Sequence, residues 1–320
     1  MKSIQVHQFG DPSVLKLEDV PDPVPQSGQV VVSVRAVGVN PVETYIRSGK
    51  YGPKPFPFCP GNDAAGIVHS IGPNVTRVKP GDRVYVAGSL SGTYAALTLA
   101  DQSKVHPLPD HVSFQQGAAI GVPYGTAFHA LFHRGHAHYG ESVLIHGATG
   151  GVGLAAVQLS KSAGLQIFAT GGSNKGRELL KQQGAHHIFD HHSPTYTQDI
   201  LTKTNHQGVN LILEMLANIN LAKDLPMLSK NGRVMVIGSR GEVAINPRDT
   251  MAKESDIRGV MLAGATEDQY AAMHQTIVTG LENRILTPII AQEFPLSDAP
   301  QAHEAVLAPN HLGKIVLLVT

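Results

Sequence analysis

Cysteine is almost absent from this chain, and tryptophan is absent altogether. Cys59 alone can close neither an internal disulfide nor a four-cysteine zinc lobe, which excludes a disulfide scaffold and points to a cytoplasmic protein. Net charge is absent as well, since 25 Lys and Arg balance 25 Asp and Glu. A polyanion-binding protein needs a basic stripe, so nucleic acid and anionic membrane surfaces are disfavoured as partners. No apolar run reaches the roughly 18 residues expected of a membrane span, and Met1-Lys2-Ser3-Ile4-Gln5-Val6-His7 lacks the apolar core of a signal peptide. Charged residues amount to only 16% beside 33 glycines and 21 prolines, which suits strands, tight turns and close backbone approach better than a helical bundle.

What is present has two textures, and the length fits about two domains. Through residues 1–124 short β-branched runs alternate with Pro and Gly, as in Ser33–Val37, Gly66–Val68 and Arg83–Val86. That spacing predicts an all-β barrel or sandwich. Over 125–262 apolar strands alternate with helical periodicity; the strand candidates are Ser142–His146, Gln166–Thr170, His187–Phe189, Val209–Leu213, Arg233–Ile237 and Ile257–Leu262. Six such runs predict a doubly wound parallel sheet, and hence an α/β chain. The segment 263–320 ends in the run Lys314–Val319, expected to rejoin the first domain. Ile257–Leu262, as the last sheet strand, leaves an apolar edge, which predicts a homodimer or homotetramer.

The strongest chemical signal is Val143-Leu144-Ile145-His146-Gly147-Ala148-Thr149-Gly150-Gly151-Val152-Gly153, a buried strand running into a glycine-rich turn. Val152, Ala155, Ala156, Leu159 and Ala163 then fall on one helical stripe, so the turn opens a helix that packs on the sheet. Such glycines let backbone N–H groups approach a pyrophosphate, with Gly153 allowing close helix–strand contact. Where an NAD site places Asp or Glu after the second strand, this chain has Thr170-Gly171-Gly172-Ser173-Asn174-Lys175-Gly176-Arg177. With no carboxylate in that run to repel a 2′-phosphate, NADPH is the expected cofactor. A second cluster, Gly38–Gly49, follows the strand Val30–Val37; with Pro60–Gly66 and Gly238–Gly241 it could close around a nicotinamide.

Gly38–Gly49, Pro60–Gly66, Gly147–Gly153, Glu214-Met215-Leu216-Ala217-Asn218 and Gly238–Lys253 together resemble the zeta-crystallin-like, zinc-independent quinone oxidoreductases of the medium-chain dehydrogenase/reductase superfamily. The likeness covers nearly the whole chain and is most specific in Asn246–Ser255. It implies a GroES-like β-barrel joined to a Rossmann domain. It also implies that Thr149, Gly150, Gly151 and Val152, with Gly153 beneath, cradle the pyrophosphate, and that Gly172 and His191 border the 2′-phosphate with Ser173 and Lys175 near. Lys175 stands one place away from the lysine of some relatives. Asn220, Ile237, Gly238, Ser239 and Arg240 would line the nucleotide groove, and Val260, Met261 and Leu262 the nicotinamide. Tyr45 carries over as a neighbour of cofactor and substrate, Asn40 as a polar group facing the reacting ring, and Tyr51 joins them against a flat acceptor.

Zinc-dependent relatives hold their catalytic metal with Cys at the position of Val39 or Asn40 and with His-Glu at Asn62-Asp63, so no metal is expected here. His129 and His133 stand four apart on a predicted helix, but Ala130 takes the place of the glutamate of a zinc-protease motif, and they read as packed or surface residues. Glu43 reads as a surface charge or an ion pair with Arg47. Without a Lewis acid the substrate must itself accept electrons readily, which quinones do. The same fold also serves NADPH-dependent reduction of an enone double bond. A third reading, a cofactor-binding structural or AU-rich RNA-binding protein, is secondary on charge.

Overall fold

The protein is described from a computed structural model over residues 1–309 and 311–319. It forms two units, Met1–Val122 with His274–Thr320, and Pro123–Met273.

The first unit opens with the antiparallel pair β1 (Lys2–Gln5) and β2 (Lys16–Asp19). Its main strands follow: β3 (Gln29–Val39), β4 (Asp63–Ile71), β5 (Arg83–Ala87), β6 (Leu97–Asp101) and β7 (Val105–Pro107). In β3 the side chains of Val30, Val31, Val32, Val34, Val37 and Val39 are all buried, because further strands pair with it on both sides and layers cover both faces. Helix α1 (Pro41–Arg47) starts immediately after β3, where Pro41 ends the strand and supplies a ready-made first helical φ. Short α2 (Phe114–Ala118) leads to α3 (Gly121–Phe128), within which the chain passes into the second unit at Pro123, and which continues there as a wider π turn over His129–Arg134. There the Nδ1 atoms of His129 and His133 lie 3.1 Å apart, so the two histidines bond to each other.

The second unit carries β8 (Ser142–Ile145), β9 (Gln166–Thr170), β10 (His187–Phe189), β11 (Val209–Glu214), β12 (Leu228–Val236) and β13 (Asp256–Gly259). All five neighbouring pairs are parallel in the order β10-β9-β8-β11-β12-β13. Counted within this sheet the order is 3-2-1-4-5-6, so its direction of winding reverses between β8 and β11, and ligands of such sheets bind beyond the strand ends at that point. The helices are α4 (Gly151–Ser162), α5 (Asn174–Gln183), α6 (Tyr196–Lys203), α7 (Ala217–Met227) and α8 (Pro247–Lys253). Leu144, Phe168, Ile212 and Val234 from the sheet share one core with Ile200, Leu221 and Leu225 from the helices. Helix α4 is buried beyond its expected stripe, since Leu154 and Val157 are enclosed too.

The last sheet strand is shorter than Ile257–Leu262: it ends at Gly259, and Leu262–Gly264 form a 3-10 turn. The chain leaves the second unit within α9 (Glu267–Glu282), at Met273 rather than 262. The reason is local packing, for Leu262 and Met273 both press against the backbone of Gly125. The tail then adds β14 (Ile290–Pro295), α10 (Ala299–Ala305) and β15 (Lys314–Leu318) to the first unit, β15 lying antiparallel to β3.

Candidate functional site

In the second unit the turn between β8 and α4 is shaped by Gly147, whose φ of 56° is the left-handed conformation that glycine tolerates. Gly153 meets a harder limit: a Cβ there would stand 2.5 Å from Ala148 Cα and 2.5 Å from Gly147 O. Only glycine lets α4 come down on the strand end. Helix α4 begins at Gly150 with no side chain capping it. Its first-turn N–H groups, at Gly151, Val152 and Gly153, lie beyond the reach of the helix's own i→i−4 ladder and face the end of the sheet. Uncapped amides with the positive end of the helix dipole behind them form an anion cradle, and a pyrophosphate fits it.

At the end of β9 the structure brings Gly172 and His191 together. A Cβ on Gly172 would meet His191 Nε2 at 3.0 Å and His192 Nε2 at 2.8 Å. Burial, then the neighbouring His192, lowers the pKa of His191. The Ser173 hydroxyl accepts from Gly176 N at 3.1 Å as the cap of α5, which leaves its proton to donate. Lys175 is exposed on the first turn of that helix. The local run has no carboxylate, but the residue just after β10 supplies one: Asp190 pairs with Arg177 at 2.8 Å. Arg177 also donates to Gly171 O at 3.0 Å and is held across this strand end. The pairing partner was not legible because Asp190 lies outside the local run.

Beyond β11, Asn220 Nδ2 donates to Glu214 Oε1 at 3.3 Å, while Arg240 N donates to Asn218 Oδ1 at 2.9 Å. Ile237 N donates to Glu214 O at 2.9 Å, and Ala217 N to Gly238 O at 2.9 Å. The loops after β11 and β12 are thus fastened to each other, with Ser239 and Arg240 exposed. Val260 is tied to Val236 O at 2.9 Å, followed by exposed Met261 and half-buried Leu262.

In the first unit Asn40 is 2% exposed and fully engaged. Its Nδ2 donates to Asp63 Oδ2 at 2.9 Å and to Glu43 Oε1 at 3.2 Å, and its Oδ1 accepts from Lys314 Nζ. Both amide protons are committed, so toward any bound ring Asn40 retains only a lone pair. Glu43 corrects the surface reading. It is 1% exposed, accepts from Asn40 N at 2.9 Å and from the Tyr94 hydroxyl at 2.7 Å, and reaches Arg47 only indirectly. Arg47 donates to His303 Nδ1 at 3.3 Å, so His303 Nε2 carries the proton it donates to Tyr94 Oη at 3.0 Å. Burial, then Arg47, pushes His303 down to about 3, which keeps it neutral in this chain of bonds. Burial raises Glu43 and Asp63 and lowers Lys314, each held back by the charge opposite. Tyr45 is half-buried on α1, and Tyr51 is exposed beyond it. A cavity of about 390 Å³ in this unit is lined by Glu43, Ile46, Lys54, Phe58, Cys59 and Asn62 among others.

The first unit's polar cluster does not suit a catalytic zinc. Asn40 and Asp63, at two of the expected ligand positions, are hydrogen-bonded to each other with the Lys314 ammonium against both. Among the described residues, neither histidine nor thiolate joins them.

Comparison with known proteins matches residues 26–110 to the alcohol dehydrogenase GroES-like domain and residues 151–279 to the family described as zinc-binding dehydrogenase. The rat (Rattus norvegicus) quinone oxidoreductase is 48% identical over 322 residues, covering 100% of this chain and 98% of the relative. The human quinone oxidoreductase is 46% identical at the same coverages. Among solved structures, Escherichia coli quinone oxidoreductase complexed with NADPH superposes with a TM-score of 0.89 at 27% identity, covering 100% of both chains. With a GroES-like unit, a Rossmann sheet and full-length likeness of this degree, the chain belongs to the quinone oxidoreductase family of the medium-chain dehydrogenase/reductase superfamily.

Proposed function

We propose that this protein is an NADPH-dependent quinone oxidoreductase that works without zinc, as a cytoplasmic homodimer or homotetramer. The observation that carries the cofactor is the uncapped first turn of α4 behind Gly147–Gly153, at the point where the sheet reverses direction. The full-length likeness to quinone oxidoreductases supports the acceptor class. When bound, NADPH would supply the reducing equivalents that the quinone accepts.

The chain's own part is binding and orientation. Thr149 and Gly150 shape the turn that meets the pyrophosphate, Gly150 N being taken by Gly147 O at 3.1 Å, while Gly151 and Val152 offer it backbone amides and Gly153 keeps α4 close enough to aim them. Gly172 lets the His191 and His192 rings come against the backbone at the end of β9, where Ser173, Lys175 and His191 offer donors to a 2′-phosphate. Asn220, Ile237, Gly238, Ser239 and Arg240 line the groove, and Val260, Met261 and Leu262 face the nicotinamide. Asn40, Tyr45 and Tyr51 are assigned to the acceptor, Asn40 as a fixed lone pair and the tyrosines as flat walls. With no Lewis acid assigned, the acceptor must be electron-poor in itself. Steady-state assays with a panel of quinones and enones, each run with NADPH and NADH, test this reading. Turnover of quinones with a kcat/KM favouring NADPH by on the order of tenfold or more is expected. Turnover of enones alone, or equal use of NADH, would refute it.

A further inference from the structure

Three titratable side chains meet inside the second unit directly under the glycine-rich turn. His146 follows β8 and precedes Gly147, Glu214 ends β11, and Asp224 comes from α7. All three are buried, at 3%, 0% and 0% exposure. His146 Nε2 lies 2.9 Å from Asp224 Oδ1 and 3.7 Å from Glu214 Oε2. With a carboxylate as its near partner, Nε2 carries the proton and donates it. Glu214 Oε1 accepts from Leu216 N and from Asn220 Nδ2, but Glu214 Oε2 and Asp224 Oδ2 are buried with no hydrogen-bond partner among the described residues. Two such acceptors side by side are costly, and a single proton on one carboxyl, donated to the other, relieves both. It also balances charge, because one imidazolium cannot neutralise two buried carboxylates.

Other groups facing the cluster do not supply that charge. Lys223 on α7 is exposed, the Tyr196 ring of α6 stands 6.4 Å from the His146 ring, and His191 acts on His146 only as another cationic group when protonated. Burial, with Asp224 adding to it and His146 opposing, raises Glu214 to about 7. Burial opposes the charged form of His146, but the charge and hydrogen bond of Asp224, with Glu214, outweigh it and raise His146. The cluster therefore exchanges a proton near neutrality.

The same residues position the groove. Glu214 braces the loop that carries Asn220, and His146 is covalently continuous with the anion cradle. We propose that His146, Glu214 and Asp224 form a proton-holding triad beneath the turn, and that an anionic dinucleotide bound there draws a proton from solvent onto it. The inference rests on the assignment of Gly147–Gly153 to the pyrophosphate. Negative charge brought to the turn favours the more positive state of the triad, so binding and protonation reinforce each other.

Titration calorimetry at pH 7 in two buffers of different ionisation enthalpy tests it, with NADPH and NADH as separate ligands. NADH has no 2′-phosphate, so uptake seen with it cannot come from that phosphate or from groups bound to it. Both cofactors are expected to draw in a substantial fraction of a proton. Uptake should persist somewhat above neutrality and fade in more acid buffer, where Glu214 already holds its proton. Glu214→Gln and, as a second variant should the first fail to fold, Asp224→Asn should bind cofactor while losing most of the uptake. A merely structural triad would change affinity and leave uptake alone. Binding without proton exchange, or uptake unchanged in a folded variant, overturns this inference by itself; failure of the wild type to bind either dinucleotide overturns it together with the proposed function. A stoichiometric divalent metal retained by the wild type and lost in Asp224→Asn also overturns it, because a cation would then occupy the proton's place.

Discussion

Gly172 shows how much chemistry one missing side chain can carry. Its absent Cβ leaves the rings of His191 and His192 against the backbone at the end of β9, where a 2′-phosphate has donors and no carboxylate on the same turn. Asp190 is close in this region but is held by Arg177. Gly172→Asp should therefore reverse the preference for NADPH, since a new carboxylate repels the phosphate and accepts from free ribose hydroxyls. The atoms in its way are ends of histidine side chains, which can swing, so the variant should fold. A charge-assisted contact to phosphate is worth roughly 1.5–3 kcal/mol, so the ratio of kcat/KM for NADPH over NADH should fall on the order of ten- to a hundredfold. Steady-state rates with one fixed quinone measure it, and Gly172→Ala separates the steric part from the charge. Histidine readings were harder at this scale. Residue type alone could not show that His146 meets Glu214 and Asp224, because its partners are 68 and 78 positions away, and only its place between a buried strand and a glycine turn hinted at enclosure.

Elements were the most legible level. Runs of Val, Ile, Leu and Phe between turn residues marked the four inner strands β8, β9, β11 and β12, because strands covered on both faces must be largely apolar, whereas the edge strands β10 and β13 carry His187, Asp256 and Arg258 and are more exposed. Errors fell at ends: β12 begins at Leu228, five positions before Arg233, since polar Ser229, Lys230 and Asn231 precede its apolar run. The buried charges of the first unit were illegible for a different reason. Glu43 and Lys314 lie far apart in sequence, and each reads as surface until β15 is laid beside β3. That pairing places Lys314 Nζ on Asn40 Oδ1 and 3.5 Å from Asp63 Oδ2, tying the C-terminal strand to β4 and to the start of α1. Lys314→Met would leave two buried carboxylates without their nearest cation. Breaking such a cluster from one side costs roughly 3–5 kcal/mol, and thermal melting should show a correspondingly large loss of stability. Adding Asp63→Asn to Lys314→Met should restore part of it, because the uncompensated charge then disappears. Equal melting of wild type and Lys314→Met would mean that the ammonium contributes no net stabilisation.

For the molecule as a whole, the open question in the sheet is its edge. Strand β13 pairs with β12 on one side only, and Ile257, Val260 and Met261 near that edge keep apolar surface in solvent. An unpaired row of N–H and C=O groups beside apolar side chains is a template for a second copy, and a two-fold axis would let β13 pair with itself in antiparallel register. Val260 N donates to Val236 O, so alternation along the strand turns the N–H of Arg258 toward β12 and those of Ile257 and Gly259 toward the open edge. Ile257→Pro thus removes an outward donor without taking a bond from the internal ladder, and Asp256 before it is already extended, as a residue preceding proline prefers. Sedimentation at micromolar concentration should find the wild type as a dimer or tetramer. The Ile257→Pro protein should dissociate at least about tenfold more readily, which corresponds to roughly 1.4 kcal/mol, while melting close to wild type once its monomer is compared at equal concentration. A wild type that stays monomeric throughout that range would show that the edge is guarded by its shortness alone. An Ile257→Pro protein that assembles as tightly as wild type would move the interface to another surface.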